Sequence, residues 1–79
     1  MIVSRKPAYM ECLQWQGANI DEILEFNSKV IYEDGNLILP TSEGEKKVPV
    51  GSFIMKNEDF EFYICSPELF HKEYVVVED

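Results

Sequence analysis

Val30-Ile31-Tyr32-Glu33-Asp34-Gly35-Asn36-Leu37-Ile38-Leu39 is the stretch on which the fold turns. Two short apolar runs, 30–32 and 37–39, flank a polar centre built on Asp34-Gly35. An Asp-Gly pair supplies the positive φ that a tight hairpin turn needs. The stretch therefore predicts a β-hairpin. Downstream the same pattern continues. Thr41-Ser42-Glu43-Gly44 makes a second turn into a strand at 45–50, and Gly51 breaks it. Strands at 52–57 and 60–65 form a further hairpin across Glu58-Asp59. In its second strand Phe60, Phe62 and Ile64 face one way, and Glu61, Tyr63 and Cys65 the other. Ser66-Pro67-Glu68 joins an N-cap, a proline at the first helical position and an acid behind it, which predicts a short helix over about 67–72. Residues 74–77 read as a closing strand.

Upstream of the hairpin the pattern changes. Residues 8–16 alternate Met10 and Cys12 with Tyr9, Leu13 and Trp15, which reads as a strand partly buried on both faces and ended by Gly17. Asn19 then stands as an N-cap, with Glu22 three residues on as in a capping box. Ile20, Ile23 and Leu24 share one face of an amphipathic helix, and Asp21, Glu22 and Lys29 sit where the helix dipole favours their charge. The spacing predicts a helix of three turns over 19–28. The expected fold is α+β: one small, strongly curved antiparallel sheet packed on one amphipathic helix, with a short C-terminal helix.

Composition limits what such a chain can do. Its 79 residues form one domain, 1–79, with 7 Lys+Arg against 15 Asp+Glu and a net charge of −8. A chain of this length buries only about 60% of its unfolded surface, so oligomerisation would help to stabilise it. The apolar share of 46% is too high for a disordered acidic tail. The negative charge repels duplex nucleic acid, whose affinity comes from Lys and Arg on phosphates. No apolar run approaches the length of a membrane span. Arg5 and Lys6 are not followed by a signal-peptide core before Glu11, so a cytoplasmic protein is expected, with Cys12 and Cys65 as buried thiols. No cofactor or metal is expected, since no CxxC or Cys/His spacing, phosphate loop or GxGxxG occurs.

No catalytic constellation is visible either. The serines lack a nucleophile context, His71 falls on a short surface helix, and the acidic pairs Asp21-Glu22 and Glu58-Asp59 sit at a helix start and a hairpin tip. A non-enzymatic binding protein is the expectation. Residues 1–20 carry a net +1 from Arg5, Lys6 and Glu11, which leaves −9 for the rest. Beside this basic pair lie Gln14 and Trp15, an amide with donor and acceptor and an indole that can stack. Tyr63 and Tyr74 add aromatic surface. Trp15 reads as a core residue or as a platform for a ligand or partner, and Arg5-Lys6 as a solvated pair or an anion contact. Phe53, Phe60, Phe62 and Phe70 are assigned to the core or a subunit interface.

Arg5-Lys6-Pro7 followed by Glu11, Gln14 and Trp15 resembles a widespread group of small tailed-phage proteins. These begin with an R-K-K-P-like string, then E-x-x-Q-W and an acidic amphipathic helix. The resemblance continues in order: Val50-Gly51-Ser52-Phe53-Ile54 for a P-G-D-W-I-like turn, Glu61-Phe62-Tyr63 for E-F-Y, Cys65, Pro67 and Phe70 for C-x-P-x-x-F, then Tyr74. Two positions depart from the pattern. The proline stands one place early, at Pro49, and Ser52 replaces the aspartate, so the turn is kept for shape through Gly51.

Some proteins of this group are phage anti-defence factors that sequester the cyclic nucleotide signal of the CBASS antiviral system. The resemblance therefore implies a sponge for a cyclic dinucleotide or related nucleotide, acting in the host cytoplasm. Arg5, Lys6, Gln14, Trp15, Tyr63 and Tyr74 would form its ligand site, in a pocket at a homo-oligomer interface. On this reading, replacing Arg5 and Trp15 abolishes binding and leaves the fold standing. The alternative is an acidic phage protein that binds and inhibits or adapts a host protein through residues such as Glu58, Asp59 and Glu61.

Overall fold

The computed structural model describes the backbone of residues 1–5 and 8–78, and the side chains of 1–3 and 10–77. Strands β1 (Ile2–Arg5) and β2 (Ala8–Gln14) lead to helix α1 (Ile20–Phe26). Strands β3 (Ile31–Glu33), β4 (Asn36–Thr41) and β5 (Gly44–Val48) follow, then β6 (Phe53–Lys56), β7 (Phe62–Cys65), helix α2 (Pro67–Glu73) and β8 (Val75–Glu78). The class is α+β and mostly strand, but the strands form two antiparallel sheets where the sequence led us to expect one. A five-stranded sheet runs β7-β6-β2-β1-β8, and β3-β4-β5 is a separate meander.

The five-stranded sheet is the middle layer, with an apolar cluster on each face. The period of two along β2 and β6 divides the side chains between them. Cys12, Phe53 and Met55 join Val3, Cys65, Phe70 and Tyr74 beneath α2. Ile54, with Trp15, packs on the other side against Ile23 of α1 and Leu37, Leu39 and Val48 of the meander. Phe70 anchors α2 by stacking on Phe53, ring centroids 3.7 Å apart and planes 5° from parallel. Cys12 and Cys65 are buried thiols. Burial pushes the Cys12 thiol up from 9.0 to about 11, against the opposing pull of the N-terminal charge. It is therefore a neutral packing group at neutral pH.

The turns obey their chemistry. Asp34 and Gly35 take φ of 53° and 77° between the paired Glu33 and Asn36, the two-residue turn expected of Asp-Gly. Ser52 N–H donates to the Pro49 carbonyl at 3.0 Å, with Gly51 at φ 96° in the third position, a type II turn.

Three expectations are corrected. β1 is an additional strand, pairing between β2 and β8. Its four residues are too few to show an alternation of their own. Helix α1 covers seven residues, two turns in place of three, and Lys29 lies beyond it. Asn19 stands at its N-cap position without a side-chain capping bond. Its amide instead closes the preceding loop, accepting from Gln16 N–H at 2.8 Å and donating to the Gln14 carbonyl at 2.9 Å.

The hairpin at 58–59 is wider than expected, because residues 57–61 form the whole connection. Phe60 is therefore in a turn, not on the strand, and is 72% exposed. Of the two places assigned to it, the core or a subunit interface, that exposure removes the core.

Candidate functional site

Among the described residues, those that the sequence grouped as a ligand site lie in separate places. Trp15 is 1% exposed. Its backbone is stitched to the turn opposite, donating to the Ser52 carbonyl at 2.9 Å and accepting from Gly51 N–H at 2.7 Å. Gln14 closes the same contact through Nε2 to the Gly51 carbonyl, 3.0 Å. Tyr63 and Tyr74 meet on the opposite face of the five-stranded sheet, hydroxyls 3.4 Å apart, with the Tyr63 hydroxyl 3.1 Å from the Met10 sulfur. Tyr74 is part of the core there. The backbone of Arg5 pairs with Ala8 at the far end of β2. At about 3.3 Å per residue, the six steps from Ala8 to Gln14 span roughly 20 Å. The side chain of Arg5, and Lys6 entirely, lie outside the described residues. Gln14 and Trp15 come together, as do Tyr63 and Tyr74, but a sheet separates the buried Trp15 ring from the tyrosines.

Concave surface lies elsewhere. A groove of about 500 Å³ opens where the end of α1, the end of β4 and the 57–61 turn converge. That volume is in the range of small-molecule sites. Phe26 and Phe62 form its apolar wall, edge to face with centroids 5.7 Å apart. Phe60 stands at the rim and Lys29 across from the meander's Thr41 and Ser42. A second hollow of about 390 Å³ continues past Thr41 and Phe62 to Lys46 and Asn57.

Local sequence explains each wall. Asn27 ends the helix and folds the chain back, its side-chain oxygen accepting from Lys29 N–H at 2.9 Å. Thr41 closes β4 against Gly44, its Oγ1 donating to the Gly44 carbonyl at 2.7 Å and accepting from Glu43 N–H at 3.2 Å, which shapes the turn at Ser42. Asn57 builds the opposite rim. Its Oδ1 accepts from Asp59 N–H (2.9 Å) and Glu61 N–H (3.0 Å), and its Nδ2 donates to Glu61 Oε1 at 2.9 Å.

Electrostatics distinguish this surface from the rest of an acidic chain. Of the lysines at 29, 46, 47, 56 and 72, the first two line the groove and its extension, and Lys56 holds its ammonium 4.8 Å from the Phe60 ring centroid at the rim. Lys46 is 3.0 Å from Glu43 and Lys56 3.3 Å from Glu11. Among the described residues Lys29 has no carboxylate within ion-pair distance. Glu61 also lines the groove, with one carboxylate oxygen held by Asn57. The arrangement offers flat apolar walls, hydroxyls and ammonium groups, the components for holding a planar anionic molecule.

The sequence reading missed Phe26, Lys29 and Phe60. The accessible clue was Asn57, four residues before Glu61, since asparagine at that spacing organises a wide turn through its side chain. Nothing in the chain pattern could have shown that the end of α1 comes to rest beside it. Compared with known proteins, the chain matches no family model, no curated protein and no solved structure.

Proposed function

We propose that this chain is a non-catalytic phage anti-defence protein that captures a cyclic dinucleotide-type immune signal, working by sequestration in the host cytoplasm and as a homo-oligomer. The observation that carries this reading is the groove. In a chain of net charge −8 it gathers Phe26, Phe60 and Phe62 with Lys29 and Glu61, and its extension adds Lys46 paired with Glu43, so this surface is locally balanced in charge. Aromatic faces take bases and ammonium groups take phosphates. The ordered motifs shared with the tailed-phage group point the same way. The ligand surface so proposed is the groove, and it replaces the Trp15-centred grouping.

Calorimetry of the purified protein against cyclic di- and trinucleotides tests it, with the ligand recovered by heating the complex. Sub-micromolar binding and an unaltered ligand are expected. An altered ligand would mean an enzyme, and silence across the panel would remove the nucleotide reading.

A second reading has its own observation. Glu58, Asp59 and Glu61 are all exposed at one hairpin end. Such a cluster suits docking on a basic host protein, with association steered by charge. Salt-insensitive capture of a host protein would count against it.

A further inference from the structure

Phe60 is held in an unfavourable place twice over. Its φ is 60°, the left-handed region that a bulky residue rarely adopts, and its ring is 72% exposed. A glycine would relieve the first and a polar side chain the second. Yet the turn is well built. Besides the three side-chain bonds of Asn57, its backbone accepts from Phe60 N–H at 3.1 Å and its own N–H donates to the Glu61 carbonyl at 3.0 Å. A scaffold this complete fixes where Phe60 points, and strain that surrounding structure maintains is characteristic of ligand-contacting positions.

The ring's setting suggests what it contacts. Phe60 lines the groove whose wall is Phe62 and Phe26. Lys56 stands over the ring 4.8 Å from its centroid, placing a cation beside an aromatic face. A planar ring entering the groove would meet an aromatic on the strand side and another at the rim, with the Lys29 ammonium of the same groove for a phosphate.

We propose that Phe60 is the clamp of this site: Asn57 holds its ring out of the core, at the expense of a strained backbone, so that it stacks on a purine base seated in the groove. The proposal rests on the nucleotide-binding reading above and adds the residue that grips the base.

The test uses Phe60→Gly and Phe60→Trp in the full chain, with cyclic di-AMP and cyclic GMP-AMP as probes, and pairs affinity with the thermal midpoint. Removing the left-handed strain should leave the midpoint of Phe60→Gly unchanged or raise it by about 3 °C. Loss of one base–aromatic stack should weaken its binding at least tenfold. Phe60→Trp should bind within about threefold of the parent, since indole stacks as well as phenyl.

Two results overturn the proposal while leaving the nucleotide reading intact: a Phe60→Gly protein that binds like the parent, or one whose midpoint drops by more than about 5 °C, which marks the ring as a packing group. A parent protein that binds neither probe overturns the purine clamp, and silence across the cyclic trinucleotides as well sinks the nucleotide reading with it.

Discussion

Trp15 shows how burial separates two readings of one side chain. By residue type it suits either the core or a stacking platform. Burial decides for the core. At 1% exposure Trp15 packs among Ile23, Leu37, Leu39 and Ile54, with the Tyr32 ring edge-on at 5.8 Å. Truncating a buried tryptophan costs about 3–5 kcal/mol, and a small domain has roughly 5–15 kcal/mol in total. Trp15→Ala should therefore lose most of the cooperative urea transition, whereas a binding-site variant would keep it. A Trp15→Ala protein with a parental unfolding midpoint would return this residue to the list of ligand contacts. The expectation that its replacement leaves the fold standing is thus reversed. From sequence the period of two correctly put Trp15 with Leu13, opposite Cys12. What the pattern lacked was the meander that covers that face, because a long-range sheet-on-sheet contact leaves no periodic trace in the chain.

At the scale of elements, legibility tracked the locality of the chemistry. The Asp34-Gly35 turn, the Thr41–Gly44 turn and the Ser66-Pro67 helix start are each specified within four residues, and each formed where the sequence put it. The two helices make the contrast plain. Ser66 caps α2, its Oγ accepting from Leu69 N–H at 3.3 Å, with Pro67 at the helix start. Asn19 has the right residue type but spends its amide on the loop before α1. Both helices have seven residues, too short to be stable alone, so each depends on its docked side chains. Ser66→Ala removes one cap and should lower stability by about 1 kcal/mol in chemical denaturation. The loss should be felt beneath α2, where Phe70 stacks on Phe53, and faster amide exchange confined to α2 would locate it there. An unchanged midpoint would mean that Pro67 and the Phe70 stack alone hold the helix start. The groove was illegible for the same reason that the caps were legible, since the 26–29 helix end and the turn of Phe60 are distant segments that meet only in the folded chain.

For the whole molecule, the question is what surface remains unused. The radius of gyration, 11.9 Å, is close to the roughly 11.6 Å of a compact chain of this length. Among the described residues β8 pairs on one side only, with β1, so its outer edge is open. Val75, Val76 and Val77 on it are 69%, 47% and 53% exposed, on both faces of the strand. An open apolar edge is a template for another strand, and an identical edge is always available to it. Antiparallel pairing of two identical edges is closed by a two-fold axis, the commonest symmetry of a homodimer. Such pairing would give the proposed homo-oligomer a two-fold with β8 at its axis and the five-stranded sheets joined. Four residues and a register shift beside Val77 limit such an interface to well under the ~800 Å² per partner of a stable dimer, so it should be weak and dependent on concentration. Sedimentation equilibrium over a hundredfold range of concentration should show the parent passing from monomer to dimer. Val76→Lys places a charge on the edge at a half-exposed position, and should hold the protein monomeric throughout without lowering its thermal midpoint. A parent that stays monomeric would leave the valines without a partner of this kind. A Val76→Lys protein that still dimerises would move the interface to another face, away from the edge that the sheet leaves open.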